Sequence, residues 1–184
     1  SSPFDKTAVE FLEKLNNPVY KIASPELIDL ELIREVARTS KPIILSTGMG
    51  TLEEIGEAIS TAREEGCKDL IVLHCTSSYP APIEDANLST ITEIKRRFNV
   101  LSGLSDHSKG TEVSKLAAVM GASVIEKHFT IDKSKGGVDS EFSIEPDELK
   151  KLVKETQIAS SCIGNPAFQP TKSESEVLKN RRSL

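Results

Sequence analysis

The sequence predicts an α/β fold of parallel β-α units, and three observations predict it. Five short apolar runs each end in a polar cluster, and helical patterns separate them. Successive runs begin about 23 to 31 residues apart, as in β-α repeats. Two architectures fit this pattern: an open doubly wound sheet, or part of a (β/α)8 barrel of the TIM type. A complete barrel takes roughly 250 residues, whereas this chain has 184.

The predicted strands lie within residues 20–24, 43–48, 71–77, 101–107 and 124–128. A first helix begins after Asp5, a suitable N-cap, and a third opens with a capping-box pattern at residues 51–54. The sixth begins near Pro146, which suits a first helical turn. The apolar stripes of the six helices are Ala8, Phe11, Leu12 and Leu15; Ile33, Val36 and Ala37; Ile55, Ala58, Ile59 and Ala62; Ile91, Ile94 and Phe98; Val113, Leu116 and Ala117; and Leu149, Leu152 and Val153.

Composition and segment patterns bound the possible functions. We expect one domain over residues 1–164, with residues 1–4 as the end of an earlier strand, and a polar tail or linker over residues 165–184. With a net charge of −5, the chain is not expected to present the basic surface that nucleic-acid binding requires. No apolar run approaches the roughly 20 residues of a membrane span, and the amino terminus lacks a signal-peptide pattern. Three widely spaced cysteines fit small buried residues in a reducing cytoplasm.

Polar side chains follow the predicted strands where each strand ends. Because the carboxyl ends of parallel strands share one rim, these side chains are expected to converge there. Hydroxyls and glycines at such turns, as at residues 46–50, suit an anion such as a phosphate. A lone turn of this kind is often just a turn, so the prediction depends on the whole set. The predicted rim consists of Lys21, Ser46, Ser77, Ser105, His107, Glu126 and His128.

Two charged residues of this rim require partners. Lys21 lies within an apolar run, so it either contacts an anionic substrate or pairs with Glu26 or Glu126. Glu126 lies two residues before His128, and alternation points both side chains to one side of the strand. Glu126 therefore either takes part in proton transfer or neutralises Lys21.

The rim histidines suggest a metal site. His107 and His128 end adjacent strands, and two imidazoles without a third protein ligand form an open site for Mn²⁺ or Zn²⁺. The alternative is that each histidine is simply hydrogen-bonded. Asp106 is placed to orient His107 or another rim group. His74 is interpreted as structural. The polar segment 132–140 is interpreted as a substrate loop or a solvated connection.

These motifs match, in order and spacing, those of a known family. The runs Tyr20-Lys21-Ile22-Ala23-Ser24, Leu45-Ser46-Thr47-Gly48-Met49, His74-Cys75-Thr76-Ser77-Ser78-Tyr79-Pro80, Gly103-Leu104-Ser105-Asp106-His107 and Ile125-Glu126-Lys127-His128-Phe129 carry the match. Together they resemble the sialic acid synthases, which condense phosphoenolpyruvate with an N-acetyl amino sugar to a nonulosonic acid. The segments 75–80 and 139–143 look most like those of pseudaminic acid synthases. The resemblance selects the TIM-type barrel, of which the chain would form the last five β-α units.

The resemblance implies a role for each matched residue. His107 and His128 would bind the divalent metal, Mn²⁺ or Mg²⁺, and Tyr79 and Asp139 would contact the sugar. Glu126, Lys21 and His128 would be the catalytic residues. The phosphoenolpyruvate contacts would be Ser2, Lys21, Ser24, Ser46, Ser77 and Ser105.

The sequence departs from the family at both ends. The family's earlier barrel strands and its C-terminal antifreeze-like domain have no counterpart here, and a homodimer is expected of the full-length enzyme. Two alternatives therefore remain. One is a non-catalytic fragment that keeps only anion and metal binding. The other is a lyase or aldolase in which Lys21 forms a Schiff base.

Overall fold

The computed structural model describes residues 1–182 and contains five strands and six α-helices. The strands are β1 (Tyr20–Ile22), β2 (Ile43–Ser46), β3 (Leu70–Cys75), β4 (Leu101–Asp106) and β5 (Ile125–Lys127). The helices are α1 (Lys6–Lys14), α2 (Leu30–Arg38), α3 (Leu52–Glu64), α4 (Ser89–Phe98), α5 (Glu112–Val119) and α6 (Pro146–Ile163). Strand and helix alternate along the chain, as the sequence predicts.

The strands form one parallel sheet in which spatial order equals chain order, β1 to β5. A doubly wound sheet reverses its strand order and carries helices on both faces. Here the buried strand residues Ile22, Leu45 and Val72 pack with the helices in one core cluster, and Leu104 packs with α4 and α5 in another. The helices thus cover a single face. The architecture is therefore part of a TIM-type barrel, and the doubly wound alternative is excluded.

The register assigns every strand residue to one of two faces. We call the helix-covered side the outer face and the opposite side the inner face. Lys21 pairs with Ile44 and Ile44 with Ile71, so all three point inward. At the carboxyl end, Ser105 pairs with Glu126 on this same face. The inner face of a barrel thus collects the polar residues that the sequence places at the rim.

The amino-terminal residue lies beside β1 as a neighbouring parallel strand would. The Ser1 nitrogen donates to the Val19 carbonyl (3.1 Å), and the Lys21 amide donates to the Ser1 carbonyl (2.8 Å). This pattern aligns Ser1 with Tyr20 and therefore makes Ser2 level with Lys21. The hydrogen bonds agree with the prediction that residues 1–4 are the end of a strand.

The helix starts follow the predicted capping residues, but five predicted stripe positions are wrong. The Asp5 side chain caps α1, and Thr51 forms a capping box with Glu54 at the start of α3. By contrast, the stripe positions that are exposed are Phe11, Leu15, Leu116, Leu149 and Val153. The cores under α1, α5 and α6 are narrower than the predicted apolar stripes, so these positions extend beyond the buried face.

The predicted tail follows α6. Residues 165–178 are all exposed, and the tail contains two short 3-10 turns, at Lys172–Glu174 and Val177–Asn180. Ser183 and Leu184, the end of the predicted 165–184 segment, lie outside the described residues. Its role as a linker stays a prediction. Within residues 1–182, we find no helix with the length and apolar character needed to cross a membrane.

Candidate active site

A lysine, a carboxylate and a hydroxyl meet on the inner face near the carboxyl ends of three strands. The Ser105 hydroxyl donates to Glu126 Oε1 (2.6 Å), and the same oxygen lies 3.8 Å from Lys21 Nζ. Of the two predicted partners of Lys21, Glu126 is the one within ion-pair distance. Burial lowers the pKa of Lys21, and the charge of Glu126 opposes this shift. Lys21 is thus a largely buried cation that still lacks full compensation, which suits an anionic ligand.

Two serines converge on the backbone of Gly48. The Ser24 hydroxyl accepts a hydrogen bond from the Gly48 amide (3.0 Å). A methyl group on Gly48 would lie 2.8 Å from Ser24 Oγ and 3.1 Å from Cys75 Sγ, and closer still to Ser77 Oγ. A Cβ at this position would crowd side chains from the carboxyl ends of β1 and β3, so the close approach favours glycine. We call Ser24, Gly48, Cys75 and Ser77 the hydroxyl cradle.

Ser46 ends β2 on the inner face and has an unsatisfied hydroxyl. Its side chain is 1% exposed, and its Oγ finds no hydrogen-bond partner among the described residues. A buried hydroxyl without a partner costs free energy comparable to a lost hydrogen bond. A polar group on a ligand at this face would satisfy it.

The two rim histidines lie side by side. The ring centroids of His107 and His128 are 5.2 Å apart, and the rings are inclined at 65°. The Nδ1 atom of His107 contacts the Thr76 carbonyl (3.0 Å), which leaves Nε2 available as a ligand. The Nδ1 atom of His128 lies 3.6 Å from Asp139 Oδ2. The convergence of both imidazoles, predicted from the sequence, is therefore present.

The histidine pair fits one shared metal ion. Two imidazoles on one metal, with M–N bonds of about 2.1 Å, have ring centroids about 5 Å apart. Among residues 1–182 no group of three or more histidine, cysteine, aspartate or glutamate side chains has metal-binding geometry. The donor set is thus two nitrogens, as in an open site completed by water or substrate. Metal binding itself stays a prediction.

Cys75 is an inner-face residue that sequence analysis missed. Its Sγ lies 3.8 Å from His107 Nδ1 and 3.9 Å from Ser77 Oγ. Burial acts to raise the pKa of Cys75, but the contact with His107, then those with Ser24 and Ser77, outweigh burial and lower it. Burial acts to lower the pKa of His107, but its contacts with Cys75 and Thr76 raise it. Alternation along β3 was the available signal, since residue 75 has the same parity as Ser77.

Aromatic residues flank the histidines. The Tyr79 ring lies 4.2 Å from the His107 ring, centroid to centroid, and Phe142 lies 5.0 Å from His128. Burial, followed by the charge of His107, lowers the pKa of His128. Tyr79 and Asp139, both predicted to contact sugar, border the histidine pair and are partly exposed. Phe142 was missed because only the fold of the 132–143 loop brings it here.

Two predicted positions have different environments from the rest. Asp106 does not contact His107, so it does not orient that ring directly: strand alternation turns Asp106 to the outer face, where it pairs with Lys127. His74 also points outward, with Nε2 2.8 Å from the Ala86 carbonyl, which agrees with its structural interpretation.

Ser2 is half-buried and level with Lys21, and its side chain makes no hydrogen bond within residues 1–182.

Cavity size alone does not locate this chemistry. A cavity of about 140 Å³ adjoins the hydroxyl cradle and is lined in part by Ser24 and Gly48. A larger one, of about 420 Å³, lies at the opposite, amino-terminal rim, beside Lys68 and Lys95. The larger cavity contains none of the predicted site residues. We favour the inner-face rim because the unsatisfied hydroxyl, the buried lysine and the paired imidazoles all meet there.

Comparison with known proteins identifies the family of the chain. The NeuB family model matches residues 1–167. Pseudaminic acid synthase of Campylobacter jejuni subsp. jejuni serotype O:2 is 45% identical over 181 residues, 98% of this chain and 52% of that protein. N,N'-diacetyllegionaminic acid synthase of the same organism is 40% identical over 100% of this chain and 56% of its own length. The chain thus spans about half the length of the curated relatives it matches.

A solved structure extends the comparison to three dimensions. N-acetylneuraminic acid (sialic acid) synthetase of Leptospira borgpetersenii, crystallised with citrate, superposes with a TM-score of 0.92 and 39% identity. The alignment covers 100% of this chain and 64% of that one. With a family model matched over most of its length and a fold shared with a sialic acid synthetase, this chain belongs to the NeuB family of sugar acid synthases.

Proposed function

We propose that the protein containing this chain condenses phosphoenolpyruvate with an N-acetylated amino sugar to a nonulosonic acid, with release of phosphate. Its relatives are sialic, pseudaminic and legionaminic acid synthases. The observation that carries the proposal is the convergence of Lys21, the hydroxyl cradle and the histidine pair on one inner face. The three free cysteines are consistent with a cytoplasmic enzyme.

The anionic substrate would occupy the side of the site that Lys21 and the serines line. Lys21 supplies positive charge, and Ser46 supplies a hydroxyl that has no hydrogen-bond partner within residues 1–182. Ser2, Ser77 and Ser105 would add phosphate contacts, and Ser24 would contact the carboxylate of phosphoenolpyruvate. Such donors, fixed before the reaction, stabilise charge that develops on the phosphate as its C–O bond breaks.

The amino sugar would lie against the histidines. His107 and His128 would hold Mn²⁺ or Mg²⁺, which when bound supplies Lewis-acid polarisation of the open-chain aldehyde. Tyr79 and Asp139 border this position and would orient the sugar. The enol carbon of phosphoenolpyruvate forms the new C–C bond to the aldehyde carbon, and water adds to the resulting cation. Glu126, which accepts from Ser105, lies where it can move a proton.

The test is phosphate release from phosphoenolpyruvate by the intact protein, with Mn²⁺ and an amino sugar present. The amino-sugar precursor of pseudaminic acid is the first substrate to use, because pseudaminic acid synthases are 45% identical to the chain. We expect release to require both sugar and metal, and the variant His107→Ala to abolish it. His74→Gln is the matched control, since His74 points to the outer face and should leave the rate unchanged.

The outcomes separate the alternatives. Full activity in His107→Ala would remove the metal role. Binding of phosphoenolpyruvate or Mn²⁺ in calorimetry without turnover would support a protein that only binds these ligands. A borohydride-trapped adduct with a keto acid at Lys21 would indicate Schiff-base chemistry instead.

A further inference from the structure

A buried ion pair lies on the outer face of the sheet, directly behind the histidine pair. Lys127 Nζ is 3.0 Å from Asp106 Oδ2, and the two side chains are 4% and 2% exposed. The other carboxylate oxygen accepts from the Ser108 amide (2.8 Å) and hydroxyl (2.6 Å), and Ser114 donates to Oδ2. Lys127 also donates to the Ser108 carbonyl (2.7 Å). Both oxygens of Asp106 are therefore hydrogen-bonded, and Lys127 Nζ makes two hydrogen bonds, so each buried charge is compensated.

The strand register links this pair to the histidines. Asp106 and Lys127 are paired residues of β4 and β5, and each is followed at once by a histidine. Alternation sends the ion pair outward and His107 and His128 inward. β5 is only three residues long, and its register against β4 is limited to three residue pairs. Pairing with β4 therefore stops one residue before His128, whose carbonyl accepts instead from the Ile144 amide (2.8 Å).

We propose that Asp106 and Lys127 are positioning residues that set the separation of His107 and His128. The ion pair fastens β4 to β5 one residue before both imidazoles, so a shift of β5 would move His128 relative to His107. Buried ion pairs are weak evidence for stability, and fixing a register is their best-attested role. What the histidines bind rests on the proposed function, whereas their positioning by the pair does not.

The first measurement is the nuclear Overhauser effect between the imidazole ring protons in the intact protein. The chain has three histidines, and His74 serves as an internal reference. Unmodified protein should show a cross-peak between His107 and His128, whose centroids are 5.2 Å apart. Lys127→Met keeps the chain length but removes the charge, and it should lose this cross-peak.

The second measurement is Mn²⁺ affinity by calorimetry. Loss of a group that hydrogen-bonds a metal ligand weakens binding by about 10- to 100-fold. The ion pair acts on the histidines only through the backbone, so we expect the lower limit, about tenfold, for Lys127→Met. The double variant Asp106→Asn/Lys127→Met leaves no uncompensated charge, so it should recover thermal stability relative to Lys127→Met. It should not recover the cross-peak or the affinity. Ile33→Val, in the core under α2, is the control that lowers stability without touching β4 or β5.

The results decide between positioning and mere stability. An unchanged cross-peak in Lys127→Met would overturn the proposal, as would its full recovery in the double variant. Equal losses in Ile33→Val would also overturn it. If the unmodified protein binds no Mn²⁺ but Lys127→Met still loses the cross-peak, the metal role fails while the positioning role stands.

Discussion

Substitution of Gly48 by alanine tests whether the hydroxyl cradle binds phosphoenolpyruvate. The backbone of Gly48 is not left-handed, so alanine adds no conformational strain there. The added methyl instead displaces Ser77 Oγ and crowds Ser24 Oγ, which would lie 2.8 Å away. Overpacking of this kind costs about 1–3 kcal/mol of stability. Because the hydroxyls can rotate aside, we expect the protein to fold.

The effect on ligand binding can be separated from the effect on folding. A hydrogen bond to a charged group contributes about 1.5–3 kcal/mol. Loss of one such bond from Ser77 to the ligand should therefore weaken phosphoenolpyruvate binding by about 10- to 150-fold. Calorimetric titration of the intact protein measures the affinity, and thermal unfolding measures the stability. In Gly48→Ala/Ser77→Ala the crowding is relieved, so stability should partly return while affinity stays low.

Gly56→Ala is the matched control for this experiment. Gly56 lies within α3, and a methyl there would meet only Phe98 Cε1 at 3.5 Å. Alanine in a helix interior should stabilise by about 0.5–1 kcal/mol, with no change in binding. Unaltered phosphoenolpyruvate affinity in Gly48→Ala would refute the assignment of the cradle to this ligand.

Two further substitutions test charge burial and helix capping. Burial lowers the pKa of Lys21 from its usual value of 10.5. Below this lowered pKa, the buried charge reduces the free energy of unfolding by a constant amount. Between the lowered pKa and 10.5 the folded protein releases the proton, so this destabilisation decreases as the pH rises. Lys21→Met should therefore unfold at a higher temperature than unmodified protein at pH 7, and the difference should shrink in alkaline buffer; a constant difference would contradict this cause. Asp5→Ala removes the hydrogen bond to the Ala8 amide (2.8 Å). It should cost about 1 kcal/mol in denaturant unfolding without altering ligand binding.

The strands and the rim were predictable because both follow from local pattern. Apolar runs of four to six residues ending in serine or histidine mark buried strands, and parallel strands bring their carboxyl ends to one rim. Ser105 and Glu126 lie together at that rim, as the rule predicts, but their hydrogen bond also depends on the strand register. The choice between the doubly wound sheet and the barrel did not follow. It depends on which face the helices cover, and the apolar runs look the same in both.

Other features depend on surfaces that are distant in sequence. Phe11 and Leu116 have helical spacing typical of core residues, yet the core does not reach them. Phe142 packs against His128 only because Ile144 returns to pair beside Phe129 after a long loop. Neither the width of the core nor the path of a loop is encoded in local periodicity. A pattern shows which residues can be buried but not how far the partner surface extends.

The segments 105–107 and 126–128 show how one sequence pattern selects the register of β5. In the observed register, three successive pairs link the strands on alternating faces: Ser105 with Glu126, Asp106 with Lys127, and His107 beside His128. A slip of one residue would turn every side chain of β5 to the other face. It would bring Asp106 level with Glu126 or with His128 and leave buried charges without partners, which is strongly destabilising. The pairing that satisfies the outer-face charges is therefore the same pairing that brings the two imidazoles together.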